Sequence, residues 1–227
     1  MKILVANVGS TSLKYRLYEL PQETLLAEGR IENIGAPESS VKHKPAKGKA
    51  RQETCSGLTY GKAVQRIIST LTDPGLGPLG SLEELDAVAF KVVHAFRLSG
   101  CRRLTDEVLA AMEEYVPVAP LHNRVYLDAI RLFQHELPQV PMVGLFETDF
   151  HRTIPEKAYR YAIPQAWQED YGIRRYGFHG ASFRYLAGRI PELARKPDEQ
   201  LKVIACHLGG SSSVCALKGG KSLETSM

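Results

Sequence analysis

The sequence predicts an α/β protein: a mixed β-sheet with helices on its faces, organised around a duplicated strand–loop–strand unit. Three observations carry this. Ile3 to Tyr15 (ILVANVGSTSLKY) and Val203 to Leu217 (VIACHLGGSSSVCAL) are alike, each an apolar strand entering a loop of small residues and leaving as a second strand. Strand-length apolar runs alternate with stretches whose apolar residues recur at helical spacing. The first two strands are joined by a loop too short for a crossover, so they pair antiparallel and make the sheet mixed. Both loops hold only Gly, Ser and Thr, so backbone N–H groups and hydroxyls can approach an anion closely. One such loop is also an ordinary hairpin turn. Two of them, at opposite ends of the chain, point to a duplicated fold that grips a polyphosphate.

Ile3 to Val8 reads as a central strand and Leu13 to Leu20 as its antiparallel partner. Residues 21 to 56 are polar, with Lys42, Lys44, Lys47, Lys49 and Arg51 around Pro45 and Gly48. That composition reads as a mobile, solvated excursion over 37–56, with an anion or RNA patch as the sharper alternative. Val64, Ile67, Ile68 and Leu71 have helical spacing, giving a helix over about 60–72. Ala87 to His94 is a buried strand. Thr105 is placed as an N-cap, with Leu104 and Leu109 as a hydrophobic staple, for a helix ending near Tyr115. Pro117 and Pro120 bracket a turn, and Asn123 caps the next helix, whose stripe is Leu127, Ile130, Phe133 and Leu137. Val140 to Phe146 is another strand, and Tyr159 to Ile163 a short one. A helix follows Ser182 and stops at Pro191; 196–199 is a turn. The ending, LETSM, offers no closing element, so the chain is expected to be incomplete. The expected domains are 1–150 and 151–227, the second truncated.

With 227 residues, 44% of them hydrophobic and 24% charged, the composition is that of a soluble globular protein. A net charge of +4 favours anionic ligands but falls short of a nucleic-acid signature. Cys55, Cys101, Cys206 and Cys215 form no CxxC pair, and Cys206 and Cys215 read as buried free thiols. No apolar run is long enough for a membrane span, and Met1 reads as leading straight into a strand without a cleavable h-region, so a cytoplasmic location is expected.

Asn7, Ser10, Ser12 and Lys14 belong to the first loop, where oxygens and an ammonium can meet phosphate and magnesium. His94, His122, His179 and His207 stand at junctions between an apolar strand and a Gly, Pro or Asn turn, the kind of junction that lines a crevice. Their spacing does not fit a compact zinc motif. Glu147 and Asp149 end a strand two residues apart, which in extended chain puts them on one face. Glu147 is the better candidate for magnesium or nucleophile positioning; Asp149 is as well explained by pairing with Arg152. Lys91 interrupts an apolar strand and so must pair, snorkel or reach a cleft.

On these residues the sequence resembles the acetate kinase (acetate/propionate kinase) family. The segments that carry the resemblance are NVGSTSLKY, FKVVHAFRLSG, VAPLHN, LFETDFHRTIPEKAYRYAIP, RRYGFHGAS and HLGGSSSVCALKGGKSLETSM, in family order. The resemblance implies an actin/sugar-kinase/Hsp70-like (ribonuclease H-like) fold of two α/β domains with a cleft between them. It also implies in-line, Mg2+-dependent transfer from ATP to a short carboxylate, giving acyl phosphate and ADP, commonly in a homodimer. By resemblance Asn7 lies by the magnesium. Lys14, Ser10, Ser12 and the loop His207, Leu208, Gly209, Gly210 and Ser211 meet ATP phosphates. His179 stabilises the transition state, His122 contacts the phosphoryl or acyl group, Lys91 and His94 meet the carboxylate substrate, and Glu147 is catalytic. The chain departs from the pattern at several of these positions. Lys91 replaces an arginine, Glu147 an aspartate, Ala95 the glycine after His94, Gly210 an asparagine, and Phe183 a histidine. The competing reading is a non-catalytic homologue or split half that binds a partner chain or acyl phosphate.

Overall fold

The computed structural model describes residues 1–95, 98–117 and 120–227, excluding the side chains of residues 121 and 122. It divides into two compact units: Met1–Lys91 with Arg102–Gly144, and Val92–Cys101 with Leu145–Met227.

The first unit is built on an antiparallel run of strands: β1 (Lys2–Gly9), β2 (Ser12–Glu19), β3 (Thr24–Glu32), β4 (Glu38–Pro45) and β5 (Arg51–Ser56). Beyond β1 the sheet continues through β6 (Ala87–Val92), which pairs with β1 in parallel, so the sheet is mixed as expected. The remaining strands are β7 (Cys101–Arg103) and β8 (Met142–Phe146), in the order β5-β4-β3-β2-β1-β6-β8-β7. Leu4, Ala6, Leu13, Leu17, Ala27 and Ile31 are buried, whereas Val5, Asn7, Lys14 and Arg16 between them are exposed. This period-2 alternation sets one face of the sheet into the core. Helix α1 (Tyr60–Leu71) starts at Thr59, whose side chain accepts from the Lys62 N–H, and buries Ala63, Val64, Ile67, Ile68 and Leu71. Helix α2 (Asp106–Glu114) follows Thr105 at the N-cap position, although that hydroxyl makes no capping bond; Leu104 and Leu109 are both buried. Helix α3 (Pro120–Glu136) lays Phe133 edge-on against Phe90 of β6, centroids 5.4 Å apart.

The segment expected to be an excursion over 37–56 is instead the pair β4 and β5, in register from Glu38↔Ser56 to His43↔Arg51. The polar composition is compatible with a strand because the inward residues are satisfied. His43 is buried, accepts from the Tyr15 hydroxyl at 2.6 Å, and donates from Nε2 to the Leu76 carbonyl at 3.0 Å. Gly29 makes room for this pair, since a Cβ there would lie 2.4 Å from the Tyr15 ring. Asn123 lies inside α3 rather than at its start. Its Nδ2 donates to the Met112 carbonyl, tying α3 to α2.

The second unit holds a three-stranded antiparallel sheet: β9 (Lys202–Leu208), β10 (Ser212–Lys218) and β11 (Lys221–Thr225). The chain's last residues therefore do form an element, β11, paired with β10. Short helices α4 (Glu156–Tyr159) and α5 (Gln165–Tyr171) precede α6 (Gly180–Ala194). The strand expected at 159–163 is not formed: Tyr159 ends α4, which Pro155 opens and the Glu156–Arg160 ion pair at 2.5 Å reinforces, and residues 160–163 are irregular. Helix α6 runs through Pro191 for a further three residues and ends at Arg195 in the left-handed region. Proline's φ is itself helical, and only its last turn follows, so the interruption is a missing hydrogen bond rather than a stop. Phe183 and Ala187 of α6 pack with Ala205, Cys215 and Leu217 as the core of this unit. Phe183, the departure from the family pattern, is thus a core residue. Cys215 is buried as expected, but Cys206 points to the other face of β9 and is exposed. Among the described residues no helix is long and apolar enough to cross a membrane.

Candidate functional site

In the second unit the two predicted histidines His179 and His207 are brought together, their rings stacked with centroids 4.1 Å apart and planes 16° from parallel. Strand β9 delivers His207 just before the loop at residues 209–211, and the hairpin returns with Ser212 opposite Leu208. His179 sits at the N-cap of α6 with φ +58. Its Nδ1 meets the buried Ser213 hydroxyl at 2.8 Å and its Nε2 the exposed Ser211 hydroxyl at 3.1 Å. His207 Nδ1 meets Ser182 in the first turn of α6 at 3.1 Å. A hydroxyl can donate or accept, so these partners suit either neutral tautomer or the imidazolium of His179. Ser213 anchors the ring from within; Ser211 lies on the loop, where a ligand oxygen can take its place. Gly209 and Gly210 have ordinary φ, and a Cβ on Gly210 would meet nothing within 4 Å. The chain's own packing therefore does not require glycine at Gly210.

Glu147 is buried at the head of a 3-10 helix, Glu147–Thr153, that begins where β8 ends. The extended pairing of Glu147 with Asp149 is therefore not found. Asp149 is instead held by Arg184 and, at 3.9 Å, by Arg152, in line with its ion-pair reading. Glu147 is tied to the histidine stack through Gly180, where a Cβ would lie 1.8 Å from the Glu147 carbonyl oxygen. Only glycine permits α6 to begin there, directly after His179. His151 supports the same loop from beneath. Fully buried, it donates from Nε2 to the Phe178 carbonyl at 2.9 Å and accepts on Nδ1 from Ser222 at 2.9 Å. Burial lowers its pKa, against the Phe178 carbonyl and the Glu147 charge, which raise it. His94 is also buried, edge-on to Tyr176 at 4.3 Å, and burial pushes its pKa down to about 4. It is a neutral imidazole at ordinary pH.

The first unit gathers the other predicted residues. Asn7 and Lys14 are opposed across β1 and β2 on the exposed face, next to the two-residue turn Ser10–Thr11 that joins Gly9 to Ser12. Tyr60 braces this turn, its hydroxyl lying against the carbonyls of Gly9 and Ser12; burial pushes its pKa up to about 12, which keeps it a donor. Ala6 pairs with Phe90, so Asn7 and Lys91, one residue on, leave the parallel strands at the same end; Lys91 is half-buried. The side chain of His122 lies outside the described residues. Tyr60, His151, Ser182 and Ser213 escaped the sequence reading. Each acts through a hydrogen bond to a distant residue, and no local pattern marks them.

The model of the acetokinase family matches residues 2–227. The chain belongs to the acetokinase family. It is 44% identical to the acetate kinase of Halothermothrix orenii and 43% identical to that of Desulfitobacterium hafniense, covering all of this chain and 57% of each relative. A crystal structure of Porphyromonas gingivalis acetate kinase superimposes with a TM-score of 0.86 at 39% identity. That of a propionate kinase from Francisella tularensis subsp. tularensis does so with a TM-score of 0.90 at 30% identity. Both cover all of this chain and 57% of the solved one. This acetokinase-family chain thus spans little more than half the length of the relatives it matches, and its α/β fold is theirs.

Proposed function

We propose that this chain serves phosphoryl transfer from ATP to a short-chain carboxylate, acetate or propionate, giving acyl phosphate and ADP. The observation that carries the reading is the stacked pair His179 and His207, set at the head of α6 beside a Gly/Ser loop. Phosphoryl transfer needs positioning and charge stabilisation more than covalent help. His179 donates a hydrogen bond to an equatorial oxygen of the phosphoryl group as charge spreads there, with Ser213 holding the ring in place. His207 and the N–H groups of Gly209, Gly210 and Ser211 hold the donor phosphates. The N-terminal end of α6 adds partial positive charge. In the first unit, Lys14 and the hydroxyls of Ser10 and Ser12 offer the same chemistry to phosphate, and Lys91 offers an ammonium to the substrate carboxylate. Among the described residues no cluster of three or more His, Cys, Asp or Glu can cage a metal. Asn7 and the neighbouring hydroxyls of the first unit are hard oxygen donors, which fits a magnesium ion carried on nucleotide phosphates, and in the second unit Glu147 offers a carboxylate for the same chemistry. Magnesium would supply neutralisation of the phosphate charge. A homodimer, the family's common assembly, is part of the same proposal.

The test is acyl hydroxamate formation from ATP, Mg2+ and acetate or propionate in the presence of hydroxylamine, with His179→Gln as the control. Folded protein that yields no more hydroxamate than the control, with either acid, refutes the reading.

A second reading, a half that works with a partner chain, is favoured by one observation. On the face of the three-stranded sheet away from α6, Ile204 is 68% and Leu208 78% exposed, and Val214 and Cys206 lie beside them. Such a patch calls for a cover. The fitting cover is a polypeptide carrying the part of the relatives beyond the matched 57%. Hydroxamate formed only after that polypeptide is added supports this second reading over the first.

A further inference from the structure

The basic run singled out in the sequence, with no part in the reaction above, takes on a definite place in the sheet. Strand registers put Asn7 opposite Lys14, Lys14 opposite Arg30, Arg30 opposite Lys42, and Lys42 opposite Gln52. Directly opposed residues share a face, so these five form one row across β1 to β5 on the exposed side of the sheet. Three cations, Lys14, Arg30 and Lys42, are consecutive in it. A second row, Val5, Arg16, Glu28 and Lys44, runs beside it. Together they floor a groove of about 730 Å3, lined by Lys14, Arg16, Arg30, Lys42, Lys44 and Arg51 against a single carboxylate, Glu28.

Like charges directly opposed across a sheet destabilise it. The structure relieves the groove's positive charge only in part: Glu28 neutralises Arg16 at 3.2 Å, Glu32 reaches Arg30 at 3.5 Å and Glu53 meets Arg51 at 3.3 Å. Among the described residues, Lys14, Lys42 and Lys44 make no ion pair. Neighbouring strands are about 4.8 Å apart, so the three-cation row spans about 10 Å. We propose that this groove is a binding site for a small oligophosphate, whose charges distributed along a short chain match the row Lys14–Arg30–Lys42. A groove of this size holds a small ligand. Its lining has one exposed-side aromatic, Tyr18, and so lacks the stacking platform that single-stranded RNA requires. Lys14 is shared with the proposed function, but Arg30 and Lys42 have no part in it, and binding is measured without turnover, so either proposal can fail alone.

Calorimetric titration of the intact chain with inorganic tripolyphosphate is the test, with orthophosphate and ATP as further titrants. Tripolyphosphate should bind at least about tenfold more tightly than orthophosphate, weakening as salt is raised. Arg30→Gln and Lys42→Gln should each weaken it about tenfold, the scale of a lost charge-assisted hydrogen bond. They should leave urea stability equal or higher, because opposed like charges are removed. Lys221→Gln, in β11, should change nothing. A parallel loss for ATP identifies the ligand as a nucleotide's phosphate tail; loss confined to tripolyphosphate identifies a free oligophosphate. Equal affinity for orthophosphate, no effect of Arg30→Gln and Lys42→Gln in folded protein, or an equal effect of Lys221→Gln overturns the proposal. So does capture of a uridine oligoribonucleotide that tripolyphosphate fails to displace.

Discussion

Replacing His94 by glutamine should flatten the acid side of this protein's stability profile. Burial pushes His94 from its ordinary 6.5 down to about 4. On acidification the unfolded chain therefore takes up the proton first, near 6.5, while the folded imidazole stays neutral until about 4. The unfolded state binds more protons throughout that window, so stability falls as pH falls through it and levels off below. At 1.36 kcal/mol per pH unit the drop is about 3 kcal/mol. His94→Gln cannot take up this proton. Trp167, the only tryptophan, lies in the second unit with His94, so its fluorescence in urea titrations reports on the right part of the molecule. Carboxylates titrate in both proteins, so the quantity to read is the wild-type minus variant difference. Between about pH 7.5 and about pH 4 it should move by about 3 kcal/mol against the wild type. His151, also lowered by burial, leaves a residual slope in the variant. An identical pH dependence in both proteins would refute the argument that burial keeps His94 neutral.

Gly180→Ala places a Cβ 1.8 Å from the Glu147 carbonyl oxygen, and overpacking of that kind should lower stability by about 3 kcal/mol in urea titration. A loss within about 0.5 kcal/mol contradicts the close approach of α6 to Glu147. Tyr15→Phe removes the donor to His43 Nδ1 and leaves a buried acceptor, at a cost of about 1–3 kcal/mol in the same assay. Lys91→Arg restores a forked donor for a carboxylate and should lower KM for acetate or propionate about tenfold in the hydroxamate assay. An unchanged KM for both acids removes Lys91 from substrate binding.

Much of the fold is legible in the residues because its signals are local. The α1 stripe Val64, Ile67, Ile68 and Leu71, the apolar strands β1 and β6, and the two small-residue hairpins can each be read from a short window of sequence. β3 to β5 cannot. The inward side of β4 carries Ser39, Val41, His43 and Pro45, and two of these four are polar. His43 is tolerated in the core only because Tyr15 and Leu76, 28 and 33 residues away, satisfy both ring nitrogens. The same limit applies to the site. His179 and His207 were identifiable as candidates, but their stacking, the left-handed φ of His179 and the anchoring hydroxyl of Ser213 depend on α6 packing against β9 and β10. An extended chain would put Glu147 and Asp149 on one face, and the 3-10 turn instead sends one inward and the other to Arg184 and Arg152.

By itself the sequence determined the residue types: small-residue loops at both ends, histidines at strand ends, and a basic run after the second strand. It also determined the family, because ordered motifs over nearly the whole chain survive scattered substitutions. The tertiary structure alone decided which of those residues meet. Strand register turned a stretch that read as solvated charge into a row shared with Lys14, and burial made one histidine a neutral core residue while leaving another beside an open loop. Register and burial both arise from contacts between residues far apart in the chain, which no local pattern of residues encodes.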